Sequence, residues 1–367
     1  MVDRRLLIGF DWVLVGVVFA LGAVGIVNLY SAASSFPSTP PIYLKQLYWF
    51  LIGLGVMGVI SVIGYHRLCW MSYLLYAVVV GLLAAVLVWG KVVGGARRWL
   101  VLGPVVLQPS EPARLVLVLV LAYYLHRRED PGPLGLGGLM VPVGLVLVPV
   151  ALIAKEPDLG TSILCLLIAG SVILVNGVRL RTLLTIGAGL IPAVSVGWSF
   201  LKDYQKKRIF SFLNPESDPL GAAYHLIQSK IAVGSGGFMG KGFMAGTQSQ
   251  LHFLPEQHTD FAFSVLAEEW GFVGAVVVLG LVALLVYRGL VHAMRAKDRA
   301  GMLCVVGAVA MIFWPAVINI GMVIGLFPVV GIPLPFISYG GSSLVTTMAA
   351  VGLIEAVATR RYFFHRP

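Results

Sequence analysis

The segment LHFLPEQHTDFAFSVLAEEWG, residues 251–271, passes directly from polar, titratable side chains into an apolar run. The apolar run predicts a helix that Thr259 or Asp260 would cap, because a side-chain oxygen there can accept hydrogen bonds from the first-turn N–H groups. Asp260 is therefore expected at a membrane surface, on a rigid support. A single aspartate before a helix is usually only a cap, but Glu256 and His258 beside it favour a functional site.

Small residues follow Asp260 along one face of the predicted helix. At about 100° per residue this face carries Ser264, Ala267, Gly271 and Gly274, and such a stripe lets a neighbouring helix approach closely. Glu268 and Glu269 lie about two turns deeper, so we expect them to brace helices and not to reach a substrate.

The composition is that of an integral membrane protein. Hydrophobic residues make up 59% of the 367-residue chain and charged residues only 11%, whereas soluble domains contain about 25% charged residues. We predict an all-α, polytopic fold of about ten transmembrane helices in a single domain, residues 1–367, with the first apolar run retained as a span. The predicted spans are 10–33, 46–64, 70–90, 111–126, 134–154, 160–177, 182–201, 261–288, 301–327 and 340–358.

The distribution of basic residues predicts the orientation. An even number of spans puts both termini on one side, and the short loops of that side contain Arg67, Arg127 and Arg179. The positive-inside rule makes it the cytoplasmic side. On the extracytoplasmic side, basic residues cluster in 91–98 and in the long loop 202–260, as an anionic substrate would require. No basic patch interleaved with aromatic residues predicts a nucleic-acid partner.

The long loop has helical and glycine-rich parts. Tyr224, Ile227 and Ile231 recur at helical spacing, which predicts a helix lying in the membrane interface. The following GSGGFMGKG lacks the GxxxxGK[ST] pattern of a phosphate-binding loop, so it predicts only flexible backbone beside Lys241. Cys69, Cys165 and Cys304 are too scattered for a zinc site or a disulfide framework.

Three further segments point to the extracytoplasmic face. Gln108 or Ser110 would lie near a helix cap, and Glu111 and Arg114 share a helix face, where an ion pair and a substrate role are equally well supported. In 154–162, Lys155, Glu156 and Asp158 lie at another helix entrance, which favours a contribution to a site. The proline-broken stretch GLFPVVGIPLPFISYGGSS, 325–343, is expected to wall a cavity, because irregular backbone at membrane depth needs such surroundings.

The chain resembles the SEDS family (shape, elongation, division and sporulation proteins) over about residues 10–361. The blocks that carry the resemblance are RRWLVLGPVVLQPSEPAR, KEPDLGTS, NPESDPLGAAYHLIQSKIAVGSGGFMGKG, GTQSQLHFLPEQHTDFAFSVLAEEWG and PVVGIPLPFISYGGSS. The third and fourth favour the elongation branch over the division branch. The resemblance implies an inner-membrane glycosyltransferase that polymerises lipid II into β-1,4 glycan strands on the outer leaflet.

The resemblance also implies residue roles and partners. Asp260 matches the family's essential aspartate, Glu111 and Asp158 its other functional acidic residues, and Arg98 a basic cavity residue. Arg114 stands where lysine is usual, and Gln257 where arginine often precedes the histidine. The implied partners are lipid II, the growing glycan strand, membrane lipid, a class B penicillin-binding protein (penicillin-binding protein 2 type) that supplies the transpeptidase, and other elongation-complex proteins.

The expected chemistry needs a base for the acceptor hydroxyl and cations for the departing diphosphate. Asp260 is the expected general base, or the ligand of a divalent cation, Mg²⁺ or Mn²⁺; no organic cofactor is expected. Arg98, Lys155, Arg208 and Lys241 are the candidates to hold the diphosphate. We also expect a lateral groove for the polyprenyl tail. The predicted substrate-binding residues are Arg98, Trp99, Gln108, Ser110, Glu111, Arg114, Lys155, Asp158, Arg208, Lys241, Glu256 and His258.

Two alternative functions remain. A lipid II flippase or transporter would also have many spans and buried charge, although the charged motifs here gather on one face and not near the midplane. A non-catalytic scaffold of the cell-wall elongation complex would not need Asp260.

Overall fold

The computed structural model describes residues 9–34, 40–93, 96–102, 105–130, 132–200, 203–215, 223–251, 253–254 and 256–360. Its helices are α1 (Trp12–Ala32), α2 (Ile42–Ile63), α3 (Tyr65–Trp70), α4 (Ser72–Trp89), α5 (Ser110–His126), α6 (Leu136–Lys155), α7 (Leu159–Asn176), α8 (Leu180–Phe200), α9 (Asp203–Leu213), α10 (Tyr224–Ser235), α11 (Thr247–Gln250), α12 (Ala262–Met294), α13 (Arg299–Val323) and α14 (Gly341–Arg360). Three short strands are β1 (Lys91–Val93), β2 (Ala96–Leu102) and β3 (Val105–Leu107).

The predicted all-α membrane fold is confirmed. Each of the ten predicted spans corresponds to a helix of the described chain, and eight of these helices are long and apolar enough to cross a membrane. The other two are α5, which has 17 residues, and α8. Residues 1–8 and 361–367, which carry the predicted cytoplasmic termini, lie outside the described residues.

The two helices nearest the C-terminus form the centre of the bundle. In α13 and α14, 72% and 78% of the spanning window is buried, against 22% in α4 and in α12, whose exposed sides carry large apolar residues. Glycines let α14 lie directly against α2: a Cβ at Gly352 would come within 2.6 Å of the Met57 carbonyl oxygen. The peripheral helices thus present the apolar surface that a lipid environment requires.

A small antiparallel sheet, which the sequence analysis did not predict, fills the connection between α4 and α5. Its strand order is β1-β2-β3, with Lys91 opposite Trp99 and Val101 opposite Val106. The pairing shifts by one residue between Lys91, opposite Trp99, and Val92, opposite Arg97, so Arg98 is the extra residue of a bulge in β2.

Helix α12 is broken one third of the way along. Gly271 has φ +63° and ψ −158°, a conformation that favours glycine. The glycine-rich turn 236–242 enters the break, and the N–H of Lys241 donates to the carbonyl of Glu268 at 3.0 Å. A Cβ at Gly240 would lie 2.1 Å from the Glu269 carbonyl oxygen. The predicted close approach to the small-residue stripe is therefore found, and at Ala267 and Gly271 the element that approaches is this turn.

The predicted loop helix is present as α10, and it packs on the bundle through small and polar residues. Leu226, Ser229 and Ala232 are its buried residues, whereas Ile231 is 45% exposed. The Ser229 hydroxyl lies 2.9 Å from that of Ser264 and donates to the Val323 carbonyl at 2.8 Å. Tyr224, Ile227 and Ile231 lie outside this buried set, because small and polar contacts with α12 and α13 select the other side of the helix.

Candidate functional site

The expected side-chain cap of α12 is absent. The helix begins at Ala262, with Phe261 in the capping position and no capping hydrogen bond from its side chain. Thr259 instead donates its hydroxyl to the Glu256 carboxylate at 3.1 Å. The carbonyl of Asp260 accepts a hydrogen bond from the side-chain amide of Asn319, at 2.8 Å. Its carboxylate is therefore not used to cap the helix.

The carboxylate of Asp260 lies against the proline-rich stretch that follows α13. A Cβ added at Gly331 would be 3.3 Å from Oδ2 of Asp260, and φ at Gly331 is +72°. One residue earlier, the carbonyl of Val330 packs against Gly160 in the first turn of α7, where an added Cβ would lie 2.9 Å away. The stretch thus walls the site as predicted and brings Asp260 near the start of α7.

The surroundings of Asp260 favour its protonated form more than water would. Burial, followed by the charges of Glu256 and Asp158, raises the pKa of the Asp260 carboxyl to about 6, against the opposing effect of Arg208 and Arg98. The side chain keeps partial solvent exposure. Asp260 is therefore ionised at neutral pH, with a proton affinity suited to a general base.

Arg98 and Asp158 form a second charged group beside Asp260. The Arg98 guanidinium donates to the backbone carbonyls of Glu156 and Pro157, and its Nε is 3.8 Å from Oδ2 of Asp158. Asp158 caps α7 by accepting from the N–H and hydroxyl of Thr161, at 3.2 and 3.0 Å. Gln108 approaches the same carboxylate at 3.5 Å. The predicted helix-entrance cluster is thus assembled.

Glu156 is a buried carboxyl group at the end of α6. Its side chain is fully buried, and neither oxygen has a hydrogen-bond partner among the described residues. Burial, with a smaller contribution from Asp158, raises the pKa of Glu156 to about 8. Glu156 is therefore neutral at pH 7. The side chain of Lys155, the residue before it, is exposed and makes no hydrogen bond or ion pair with the described part of the chain.

Glu111 and Arg114 form a buried ion pair in the first turn of α5. Both side chains are almost completely buried, as is Ser110 at the start of the helix. A buried pair of this kind fixes the geometry of a helix entrance. The arrangement favours the structural interpretation of these residues over direct contact with a substrate.

Lys241 is engaged away from Asp260. Its ammonium lies 2.8 Å from Oε1 of the buried Glu268 and 2.7 Å from the Thr247 hydroxyl. The same carboxylate accepts from the backbone N–H of Gln248 at 2.9 Å. The expected bracing role of Glu268 fits these contacts, whereas Lys241 is not brought into contact with the Asp260 group.

The remaining predicted residues surround Asp260. Glu256 is exposed, with φ +50°. The carbonyl of His258 accepts from the N–H of Tyr339 at 2.8 Å, and burial lowers the pKa of its imidazole. Arg208, on α9, acts on Asp260 through its charge. Gln257 is buried and donates to the Ala32 carbonyl at 2.7 Å, so it ties the site to α1.

Two cavities flank this region. One, of about 430 Å³, includes Trp49, Trp99, Thr259 and Tyr339 in its lining, so the predicted residue Trp99 faces a cavity beside Asp260. The other is an apolar groove of about 540 Å³ between α1 and α12, lined by residues that include Val27, Asn28, Leu266 and Trp270. The groove has the character expected of the predicted lateral groove.

The described residues do not assemble a metal site of their own. Among them, no three His, Cys, Asp or Glu side chains converge in a group able to hold an ion. Divalent cations of the Mg²⁺ type are bound by several oxygen ligands. Asp260 would supply one such ligand, and the proton transfer discussed below uses its carboxylate directly.

Sequence reasoning missed Asn319, Gly331 and Tyr339. Asn319 donates to the Asp260 carbonyl and, at 2.7 Å, to that of Ile332, so it joins the site to its wall. A signal was available, because a polar amide within an apolar span is costly and usually functional. The positions of Gly331 and Tyr339 depend on the path of an irregular segment, which periodicity does not predict.

A family model described as cell cycle protein, covering FtsW, RodA and SpoVE, matches residues 6–362. The chain belongs to this family. Among members of the FtsW/RodA/SpoVE family, it is 47% identical over 294 residues to the peptidoglycan glycosyltransferase MrdB of Escherichia coli K12, covering 80% of this chain and 78% of that protein. It is 33% identical to the peptidoglycan glycosyltransferase RodA of Treponema pallidum, over 96% of this chain and 98% of the relative.

Solved structures of similar proteins share the fold. The crystal structure of Thermus thermophilus rod shape determining protein RodA matches with a TM-score of 0.72 and 35% identity, over 96% of this chain and 98% of the other. A chain from the structure reported as "Structural coordination of polymerization and crosslinking by a peptidoglycan synthase complex" matches with a TM-score of 0.83 and 36% identity, with the same coverage. The FtsW/RodA/SpoVE fold thus extends over nearly the whole chain.

Proposed function

We propose that this chain is a peptidoglycan glycosyltransferase that joins lipid II units into β-1,4 glycan strands. The observation that carries the proposal is the environment of Asp260: a partly exposed carboxylate with a pKa of about 6, within electrostatic reach of Arg98 and Arg208. The similarity to proteins named peptidoglycan glycosyltransferases supports the same reaction class.

Asp260 acts as the general base. Its carboxylate takes the proton of the acceptor sugar's 4-hydroxyl as that oxygen bonds to the anomeric carbon of the donor. The bond between the anomeric carbon and the diphosphate oxygen breaks, and the diphosphate leaves with the electron pair. Direct displacement at an α-linked donor inverts the centre and gives the β linkage.

The leaving diphosphate needs positive charge on the side away from the attacking hydroxyl. Arg98 and Arg208 are the candidates, because both already act on the Asp260 carboxylate. Charge-assisted hydrogen bonds from guanidinium groups stabilise developing negative charge in a site with little water. Lys155 is the third candidate. Lys241 is held by Glu268 and is better suited to support the fold.

The substrate's polyprenyl tail remains in the bilayer while its head group reacts. The apolar groove between α1 and α12 is suited to such a chain, because Leu266 at one end of it lies in the second turn of the helix that follows Asp260. Partial exposure of Asp260 is compatible with access of the head group.

The proposed enzyme faces the cell exterior and acts with a partner. The basic residues in the short loops of the opposite side, among them Arg67, Arg127 and Arg179, support an extracytoplasmic site with both termini in the cytoplasm. Similarity to a chain of a peptidoglycan synthase complex supports a class B penicillin-binding protein as the transpeptidase partner.

The orientation is tested with single-cysteine reporters, since the three native cysteines are buried. An impermeant maleimide added to spheroplasts of the host bacterium should label Lys155→Cys but label Met294→Cys only after permeabilisation. The opposite pattern would reverse the proposed orientation.

The activity is tested with the purified full-length chain and labelled lipid II. We expect glycan polymer that a β-1,4-specific muramidase degrades. Absence of polymer from a folded chain, both alone and with a transpeptidase partner, would contradict the proposal. Flipping of lipid II without polymer would favour the transporter alternative.

A further inference from the structure

The cavity of about 430 Å³ lies beside Thr259, the residue before Asp260. We propose that it is the acceptor subsite, which holds the saccharide whose hydroxyl attacks the donor. This inference rests on the proposed glycosyltransferase function and adds a location for one of its two substrates. The cavity falls within the size range of small-molecule sites.

One wall of the cavity is a single face of the small sheet. Lys91 pairs with Trp99 across β1 and β2, and Val101 pairs with Val106 across β2 and β3. Paired residues share a face, and Trp99 and Val101 are two positions apart on one strand, so the four side chains line the cavity together. Arg98 does not line the cavity, and its guanidinium binds the entrance of α7.

The other wall is held rigidly. The Trp49 ring lies directly on Gly341, where an added Cβ would be 2.5 Å from the ring. Tyr339 is fixed through its backbone N–H, which donates to the His258 carbonyl at 2.8 Å. The centroid of its ring is 6.3 Å from the centroid of the His258 ring. The aromatic side chains are therefore set before a ligand arrives, which lowers the entropic cost of binding.

This lining matches a saccharide better than a lipid chain. Aromatic rings with polar tips suit the apolar C–H faces and peripheral hydroxyls of a sugar. Lys91 is exposed and carries a positive charge available to a hydroxyl or a carboxylate. The first turn of α14 begins at Gly341, and first-turn N–H groups have no acceptor within their own helix. None of the described residues that line the groove between α1 and α12 is charged, and this groove fits an alkyl chain.

The different contacts of Arg98 and Trp99 assign the cavity to the acceptor. In an inverting displacement the attacking oxygen approaches the sugar ring from the side opposite the leaving group. The diphosphate is drawn to Arg98 at the entrance of α7, whereas Trp99 lines the cavity. Asp260 follows Thr259, at the edge of the cavity, where it can accept a proton from the acceptor hydroxyl.

The first test separates acceptor from donor kinetics in the full-length chain reconstituted in nanodiscs. A lipid-linked donor whose terminal 4-hydroxyl is blocked reacts only as donor, while lipid II is varied as acceptor. We expect Trp49→Ala and Lys91→Ala each to raise the acceptor KM by about tenfold, with the donor KM changed less than about twofold. Trp49→Phe should recover most of the loss. Trp89→Ala is the matched control, because Trp89 is 79% exposed and outside the cavity.

The second test is independent of catalysis. Saturation-transfer NMR with the soluble disaccharide N-acetylglucosaminyl-N-acetylmuramic acid should show binding to the unmodified chain and to Trp89→Ala, and loss of binding in Lys91→Ala. An unchanged acceptor KM in both Trp49→Ala and Lys91→Ala, or an equal rise in the donor KM, would overturn the assignment. If the unmodified chain made no polymer but bound the disaccharide in a Lys91-dependent way, the proposed function would fail and the saccharide site would stand.

Discussion

The side-chain amide of Asn319 holds the backbone carbonyl of Asp260 at 2.8 Å, and no side chain caps the helix that follows. The same amide donates to the Ile332 carbonyl at 2.7 Å. One residue of α13 therefore fixes both the proposed base and the wall opposite it. The position of the Asp260 carboxylate depends on a contact outside its own helix.

Replacement of Asn319 should impair catalysis more than folding. Asn319→Leu leaves two carbonyls without this donor, and a displacement of about 1 Å at a reacting group can lower the rate by about 100-fold. We expect kcat of glycan synthesis to fall by about 10- to 100-fold while the chain remains folded in detergent. Asn176→Leu, at a buried asparagine at the end of α7, is the control. Equal activity of the two variants would argue against a positioning role.

Gly331 should not tolerate a methyl group. Alanine there must adopt φ +72° and would place its Cβ 3.3 Å from Oδ2 of Asp260. Gly237→Ala imposes a similar backbone strain, at φ +54°, but has nothing within 4 Å of the added Cβ. We expect Gly331→Ala to lose more than about 90% of glycan synthesis, while Gly237→Ala loses only about 1 kcal/mol of stability. Similar activities would show that the space beside Asp260 is unimportant.

Glu156 should make the stability of the chain depend on pH. Its folded-state pKa of about 8 lies above the value of an exposed glutamate, so the folded state keeps the proton more tightly than the unfolded state. The favourable contribution is complete below about pH 4.3 and is lost as pH rises through 8. Glu156→Gln removes this loss, so its advantage in thermal midpoint over the unmodified chain should grow between pH 5 and pH 8. If the difference in thermal midpoint between the variant and the unmodified chain stayed constant from pH 5 to pH 8, Glu156 would not be neutral in the folded chain.

The rate of glycan synthesis should follow the titration of Asp260. Because burial raises its pKa to about 6, the base is lost by protonation below that pH. We expect kcat/KM to rise through an apparent pKa of about 6 and then to level off. Glu256→Gln removes a charge that raises this pKa and should move the midpoint to lower pH. A profile that is flat from pH 5 to 7 would exclude Asp260 as the titrating base.

The sequence predicted the spans well because hydrophobicity over about 20 residues is a local property. It also predicted that Arg98, Asp158 and Arg208 lie on the same side of the bundle as Asp260. It could not predict that Lys241 pairs with Glu268, or that Asn319 holds Asp260, because these contacts depend on where loops return in space. The sheet was missed although Trp99, Val101 and Val106 show a strand-like pattern, since short strands in a membrane protein's loops produce only a weak signal.

The most direct test of the account is polymerisation of labelled lipid II by purified Asp260→Asn and Asp260→Glu variants, compared with the unmodified chain under identical conditions. Asparagine keeps the shape and the Asn319 contact but cannot accept the proton, so we predict a fall in polymer of about 1,000-fold, within the range expected for general-base catalysis. Glutamate should keep a measurable fraction of the activity. Polymer formation by a folded Asp260→Asn chain at close to the unmodified rate would contradict the assignment of Asp260 as the base.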